Sequence, residues 1–358
     1  MQNPTKNKTP EIIPQKIAIY HTGALGDLLV STAALYESIQ LFPYAEFTVI
    51  GTPLWKELIV PKIWSNIHFI LEVQNKTFTQ LKLWRSNLAE NKWIECSLPH
   101  SCIVSFLKNY QMTIDLRTES LRFAWRALLA RVPVRVGGSK NKFSKLFFTH
   151  FTLEKSKKNI HERDRYLEVL LPLDKNKIEN SLQFWSENGL PQLNENLFHP
   201  SERKMFLINP TASIREKAWP SEKFRQLALK LKEQNFEVAI IGSPKETNWL
   251  KEVASEDFKI LQPQSIAELI QIVSQAKYLI TNTSSMQFIA ASTRTPTLTL
   301  MGLAEPHKWG PLGHWSRFVK GKQLKLKKSI FRPKKEDGKL NEVLSYNSIS
   351  VDEILNRI

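Results

Sequence analysis

The sequence predicts an α/β chain of two doubly wound, parallel-sheet domains in tandem. Three observations carry this. Short β-branched runs alternate with amphipathic helical stretches through both halves. That rhythm suits parallel strands covered by helices on both faces. A polar, proline-bearing stretch, Leu171–Arg203, interrupts it once. The length of 358 residues is enough for two domains with a core each.

In the first half, strands are expected at Lys16–Tyr20, Phe47–Ile50, His68–Leu71, Met112–Leu116 and Val134–Val136. Helices are expected at Leu28–Gln40, Phe78–Asn87, Leu121–Ala130 and Arg163–Leu170. In the second half, strands are expected at Lys204–Asn209, Glu237–Ile241, Tyr278–Thr281 and Thr297–Met301. Its helices are expected at Glu222–Glu233, Glu246–Ala254, Ile266–Ser274 and Ser285–Ser292. Pro172, Pro191 and Pro200 mark a linker. The organisation thus reads as a disordered leader (1–14), a first domain (15–171), a linker (172–203), a second domain (204–340) and a closing helix (341–358). In the last segment Ser350 is a candidate N-cap, with Glu353 completing a capping box. Val351, Ile354, Leu355 and Ile358 follow at helical spacing.

No apolar run reaches the ~18–20 residues of a spanning helix. The polar start lacks the apolar core of a secretory signal, so a cytoplasmic location is expected. Cys96 and Cys102 match no zinc or redox spacing and read as reduced thiols. The net charge of +16 implies an anionic partner, unless it is a solubility bias. Arg317, Lys320, Lys322, Lys325, Lys327, Lys328, Arg332, Lys334 and Lys335 crowd one stretch. No aromatic ladder is interleaved with them, which argues against nucleic acid.

Chemistry concentrates at the carboxyl ends of the expected strands, where ligands of open α/β sheets sit. The first strand runs into His21-Thr22-Gly23-Ala24-Leu25-Gly26-Asp27. Asp27 there is either a helix cap or a catalytic base. After Asn209 come Thr211, Ser213, Arg215 and Lys217: hydroxyls and cations ahead of a Pro220-Ser221 helix start, suited to a phosphate or simply solvated. After Thr281, the run Asn282-Thr283-Ser284-Ser285-Met286-Gln287 opens a helix whose free amides attract a pyrophosphate, or is a plain serine cap. Together the two loops suggest a nucleotide-diphosphate site. Gly242 lets a ligand approach the backbone, and Glu246 either meets a ribose hydroxyl or serves as an N-terminal helix acid. No GxxxxGK[ST] or GxGxxG loop is present. Without an Asp-x-Asp pair to hold a metal, protein cations and helix termini would stabilise a departing diphosphate.

These residues resemble glycosyltransferase family 9, the ADP-heptose:lipopolysaccharide heptosyltransferases. The match is carried by His21–Asp27, by Asn209–Pro220 with Phe224-Arg225-Gln226-Leu227-Ala228, and by Ile280–Gln287 running through Pro296–Gly302. Weaker echoes are Asp115-Leu116-Arg117, Val136-Gly137-Gly138 and His161–Tyr166. The resemblance spans Lys16 to Gly313. It implies a GT-B architecture, two Rossmann-like domains facing across a cleft, the first holding an acceptor and the second a nucleotide sugar. It implies inverting, metal-independent transfer of heptose from ADP-heptose to an anionic lipopolysaccharide core, with no further cofactor. Asp27 matches the family's base, Lys217 the lysine near the diphosphate, Thr283 and Ser284 the helix start at the phosphates, and Thr211 a hydroxyl on the same side. Gly23, Gly26 and Arg117 fall on the acceptor side. A monomer working at the cytoplasmic face of the inner membrane, held there by charge, is the expected state.

The chain departs from the family at three positions. Asn282 stands where an Asp is usual, Ser284 where a Gly is usual, and Gln287 where a His is usual. The basic residue common ahead of the glycine turn is His21. A different nucleotide sugar, or a GT-B-shaped module that binds without turnover, is the competing reading.

Overall fold

The run Lys16–His21 (β1) has every residue after Lys16 buried, as in a strand covered on both faces. It pairs in parallel with Glu46–Gly51 (β2) on one side and Met112–Asp115 (β6) on the other. The computed structural model describes residues 13–75, 77–99, 102–117, 121–139, 142–153, 160–193, 205–323 and 334–358. They divide into two units, 1–185 and 186–358.

In the first unit the chain continues from β1 into Leu25–Leu41 (α1), β2, Trp55–Leu58 (α2), Ile67–Val73 (β3), Leu81–Asn87 (β4) and Lys92–Cys96 (β5). Ile103–Leu107 (α3), β6, Arg122–Leu129 (α4), Val134–Ser139 (β7), His150–Leu153 (β8), Glu162–Glu168 (α5) and Lys175–Asn188 (α6) follow. The sheet order is β5-β4-β3-β2-β1-β6-β7-β8. Without the antiparallel β4–β5 pair this is the Rossmann order 3-2-1-4-5-6.

The second unit repeats that order. Its elements are Met205–Asn209 (β9), Ser221–Glu233 (α7), Glu237–Ile241 (β10), Thr247–Ala254 (α8), Lys259–Leu261 (β11), Ile266–Ser274 (α9) and Tyr278–Asn282 (β12). Ser285–Thr293 (α10), Thr297–Met301 (β13), Pro306–Trp309 (α11), Ser316–Lys320 (β14), Lys334–Asn347 (α12) and Val351–Leu355 (α13) complete it. All six strands are parallel, in the order β11-β10-β9-β12-β13-β14. Its core packs Ile208, Ile240, Ile280 and Leu298 against Phe224, Leu227 and Leu250.

Several elements differ from the sequence expectation. The helix expected at Phe78–Asn87 is instead strand β4, in a hairpin with β5. Leu81 and Leu83 face the core while Lys82 and Trp84 alternate away. Trp84 donates from Nε1 to Glu72 on β3 (3.0 Å), and Asn91 takes the positive φ that the turn needs (52°). The stretch 172–203, expected as linker, holds helix α6, which buries Ile178, Ser181 and Trp185 along one stripe. Trp185 donates from Nε1 to the buried Glu37 of α1 (2.8 Å). Helix α1 begins at Leu25, so Gly26 and Asp27 lie in its first turn. The closing segment 341–358 contains the end of α12 and then α13. Ser350 caps α13 by accepting the Glu353 N–H (3.1 Å). Residues 1–12 of the leader, 194–203 of the linker, and Lys325, Lys327, Lys328 and Arg332 of the basic run lie outside the described residues. Among the described residues no helix is long and apolar enough to cross a membrane, and Cys96 and Cys102 are free.

Candidate functional site

Each sheet changes winding direction at one place, between β1 and β6 in the first unit and between β9 and β12 in the second. Ligands of open α/β sheets bind outside the carboxyl ends of the strands at such a switch. The loops singled out in the sequence leave these four strand ends.

In the first unit, β1 ends at His21 and α1 starts four residues later. Asp27 occupies the third helical position, half-buried, and its Oδ2 accepts the Ala24 N–H (3.3 Å). It therefore does part of a cap's work from inside the helix. A methyl group on Gly23 would lie 2.8 Å from Asp27 Cβ, 3.1 Å from its Oδ2 and 3.2 Å from His21 Cε1. Glycine at this position keeps the space beside the carboxylate open. Gly26 is a half-buried residue of the same turn.

His21 is buried edge-on against Tyr166 (4.9 Å between centroids) and Trp55 (6.4 Å). Burial, with the Arg117 and Arg165 charges, lowers its pKa to about 3. The imidazole is neutral at physiological pH, so this position supplies packing and not the charge expected of a basic residue.

Arg117 follows β6. Its backbone N–H donates to Asp115 Oδ1 (2.9 Å). Its Nη1 donates to the Thr22 carbonyl and to Thr22 Oγ1 (2.7 Å). The arginine thus ties the β6 end to the glycine turn. Burial pushes the Asp115 carboxyl well above the usual carboxylate range, against the opposing pull of Arg117. A cavity of about 590 Å³ opens here, lined by Thr22, Gly23, Thr52, Gln74, Arg117 and Arg122 among others. Thr52, Gln74 and Arg122 were not legible as site residues. They come from three separate segments, and only the fold brings them together.

In the second unit the centre is Asn282, the fully buried last residue of β12. Its Nδ2 donates to the carbonyls of Pro210 (2.8 Å) and Thr211 (3.3 Å), and its Oδ1 accepts the Trp219 N–H (2.9 Å). One amide therefore pins both ends of the 210–219 loop, which no carboxylate could do, since it cannot donate. Asparagine in place of the expected Asp thus bears on loop anchoring beneath the surface. Trp219 plugs the loop's far end, donating from Nε1 to Ile349 O (3.1 Å).

Thr211 is buried, its Oγ1 accepting from Asn209 Nδ2 (3.1 Å). Ser213 and Lys217 are exposed, and among the described residues Lys217 forms no ion pair. Arg215 is turned elsewhere. It forms a two-pronged pair with Glu252 (2.5 and 2.7 Å) and stacks on Trp249 (4.2 Å). Glu246 accepts from both the N–H (2.8 Å) and Oγ (2.7 Å) of Ser243, so it serves as a capping acid. A Cβ on Gly242 would lie 2.7 Å from Leu250 Cδ2, so a side chain there would displace the buried Leu250.

Ser284 caps α10, its Oγ accepting the Met286 N–H (3.3 Å). Thr283 and Ser285 are half-buried on either side. The Thr283 N–H is taken by Leu300 O (3.0 Å). First-turn amides have no acceptor within a helix, which leaves an anion-friendly end. Gln287 is buried, Nε2 donating to Trp309 O (2.8 Å), while its Oε1 has no partner among the described residues. Among the described residues no cluster of three His, Cys, Asp or Glu side chains could hold a metal.

Comparison with known proteins gives the family and the fold. Lipopolysaccharide heptosyltransferase 2 of Escherichia coli (strain K12) is 24% identical over 136 residues, 34% of this chain and 37% of that protein. The match thus spans well under half of the relative's length. Among solved structures, the glycosyl transferase family 9 protein of Veillonella parvula DSM 2008 superposes with a TM-score of 0.68 at 15% identity, covering 96% of this chain and 95% of that one. The ADP-heptose lps heptosyltransferase II of E. coli superposes with a TM-score of 0.67 at 18% identity, covering 95% and 96%. These structural similarities establish the fold, α/β of the GT-B class. Residues 105–339, more than half of the chain, match the model of glycosyltransferase family 9 (heptosyltransferase), and the chain belongs to that family.

Proposed function

We propose that the chain transfers heptose from ADP-heptose to an anionic, lipopolysaccharide-core-type acceptor by a single inverting displacement without a metal. The observation that carries this reading is the placement of two chemically distinct loop sets at equivalent switch points of two like-ordered sheets. One holds a carboxylate on a glycine turn beside an arginine-lined cavity. The other holds a pinned cationic loop beside a serine-capped helix start.

The first unit takes the acceptor. Arg117 and Arg122 give its cavity the charge to hold a phosphate or carboxylate. Asp27 removes the proton from the attacking hydroxyl, a contribution typically of ~100- to 10,000-fold. The new bond forms between that oxygen and the anomeric carbon. The bond from that carbon to the diphosphate oxygen breaks, and its electron pair leaves with the nucleoside diphosphate. Lys217 and the Thr283–Ser285 helix start stabilise the growing negative charge. Arg215, held by Glu252, shapes the loop that carries Lys217.

Asn282 and Gln287, the changes that favoured a different donor or a binding module, both spend their amides on backbone carbonyls. Their donors are thus used within the fold, and neither change by itself argues for a binding module over turnover. The test is nucleotide release and product formation with ADP-, GDP-, UDP- and CMP-sugars, with melting temperature measured in parallel. ADP-heptose should raise the melting temperature and release ADP only when acceptor is present. Stabilisation by a nucleotide sugar without transfer to any acceptor would favour the binding module.

A further inference from the structure

Helix α4 buries Phe123, Ala124 and Ala127 and turns Arg122, Trp125 and Leu129 outward. The outer face of a surface helix ordinarily carries polar side chains. Here Trp125 is 49% exposed and Leu129 50%, four residues apart and so on one face. The 3-10 turn Lys142–Leu146 adds Phe143, 71% exposed, and Leu146, 64% exposed. The next residue, Phe147, meets the Trp125 ring edge to face at 5.9 Å, which sets the turn against the helix. Arg135 fixes the arrangement, donating from Nε to Phe147 O (2.7 Å) and from Nη1 to Val132 O (2.5 Å).

The stretch of sequence that carries this patch has charge of one sign. From Ser120 to Leu153 the sequence has no Asp or Glu, and it has seven cations: Arg122, Arg126, Arg131, Arg135, Lys140, Lys142 and Lys145. Arg131 and Lys145 are exposed beside the apolar residues. Aromatic and aliphatic side chains set among lysines and arginines suit the headgroup boundary of a bilayer, where rings insert and cations meet anionic lipid.

We propose that this face of the first unit docks the protein on an anionic lipid bilayer. The inference rests on the surface alone and stands whether or not the transfer reaction above is correct. It places the membrane contact in the first unit, not in the C-terminal lysine run.

Co-sedimentation with phosphatidylcholine vesicles, with and without phosphatidylglycerol, tests it. The wild-type protein should bind only the anionic vesicles and be released by salt. Phe143→Ser/Leu146→Ser should lower partitioning about tenfold or more. Arg131→Glu/Lys145→Glu should do the same at low salt, with unchanged circular dichroism in both. Lys325→Glu/Lys327→Glu should bind like the wild type. The proposal is overturned if the wild type ignores anionic vesicles, if the patch variants bind normally, or if the C-terminal variant alone loses binding. Dissolution of a dimer by Phe143→Ser/Leu146→Ser in sedimentation velocity, with vesicle binding intact, would assign the patch to self-association instead.

Discussion

Asn282→Asp introduces the residue that the family resemblance leads one to expect and should nevertheless destabilise this chain. The amide at Asn282 faces two carbonyl oxygens with its Nδ2 and one N–H with its Oδ1. An ionised carboxylate would set an oxygen against Pro210 O at the present 2.8 Å contact. It would also leave two carbonyls without a donor, at about 1–3 kcal/mol each. The alternative is a protonated acid that donates in the amide's place. Keeping a carboxyl of ordinary pKa about 3.9 protonated at pH 7 costs about 4 kcal/mol, at about 1.36 kcal/mol per unit. The cheaper of the two governs, so the expected loss at pH 7 is about 2–4 kcal/mol. The sign with pH follows. The folded-state pKa of the new acid is raised, so its penalty grows as pH rises above the unfolded value. At pH 5 the protonated form costs only about 1.5 kcal/mol. Urea denaturation followed by circular dichroism reads this directly. With a slope near 3 kcal/mol/M, a loss of about 3 kcal/mol lowers the midpoint by about 1 M at pH 7, and by less at pH 5. A variant with the wild-type midpoint at both pH values would refute the pinning role of Asn282.

Two further perturbations probe the glycine turn. Because His21 is held near 3 against an ordinary 6.5, the unfolded chain takes up a proton that the folded chain refuses as pH falls below 6.5. At pH 5 this should cost about 2 kcal/mol relative to pH 8. The urea midpoint of His21→Phe should fall less than that of the wild type over the same range; parallel curves would show that His21 is not buried neutral. Gly23→Ala would force a Cβ to 2.8 Å from Asp27 Cβ. Displacing the carboxylate should reduce transfer about 10- to 100-fold while donor binding stays within about twofold; unchanged transfer would remove Gly23 from the turn's function.

Strands buried on both faces were legible because their apolar runs are continuous: Ile17–Tyr20, Phe206–Ile208 and Leu279–Ile280 admit little else. The β4–β5 hairpin was not. Phe78, Leu81 and Trp84 also fall at helical intervals, and what accompanies the strand pairing is long-range: Trp84 of β4 bonds Glu72, and Trp93 of β5 bonds Ile59 O. Helix α6 was hidden by the prolines flanking it and by a stripe of only three buried residues. At the site, the turn that carries Asp27 and the serine cap at Ser284 could be read because both are local. The role of Asn282 could not, since its partners Pro210 and Thr211 lie more than seventy residues away. The Arg215–Glu252 pair is hidden for the same reason, its partners meeting only when α8 packs beside the loop.

Asp27 is the residue on which the proposed chemistry depends. Asp27→Asn keeps the side chain's size and a carbonyl to accept the Ala24 N–H, and it removes the base. Transfer turnover and donor-induced thermal shift should be measured on the same preparation. The account predicts that turnover falls ~100- to 10,000-fold while the donor-induced shift equals that of the wild type. Turnover within a few-fold of the wild type, with donor binding intact, would contradict it.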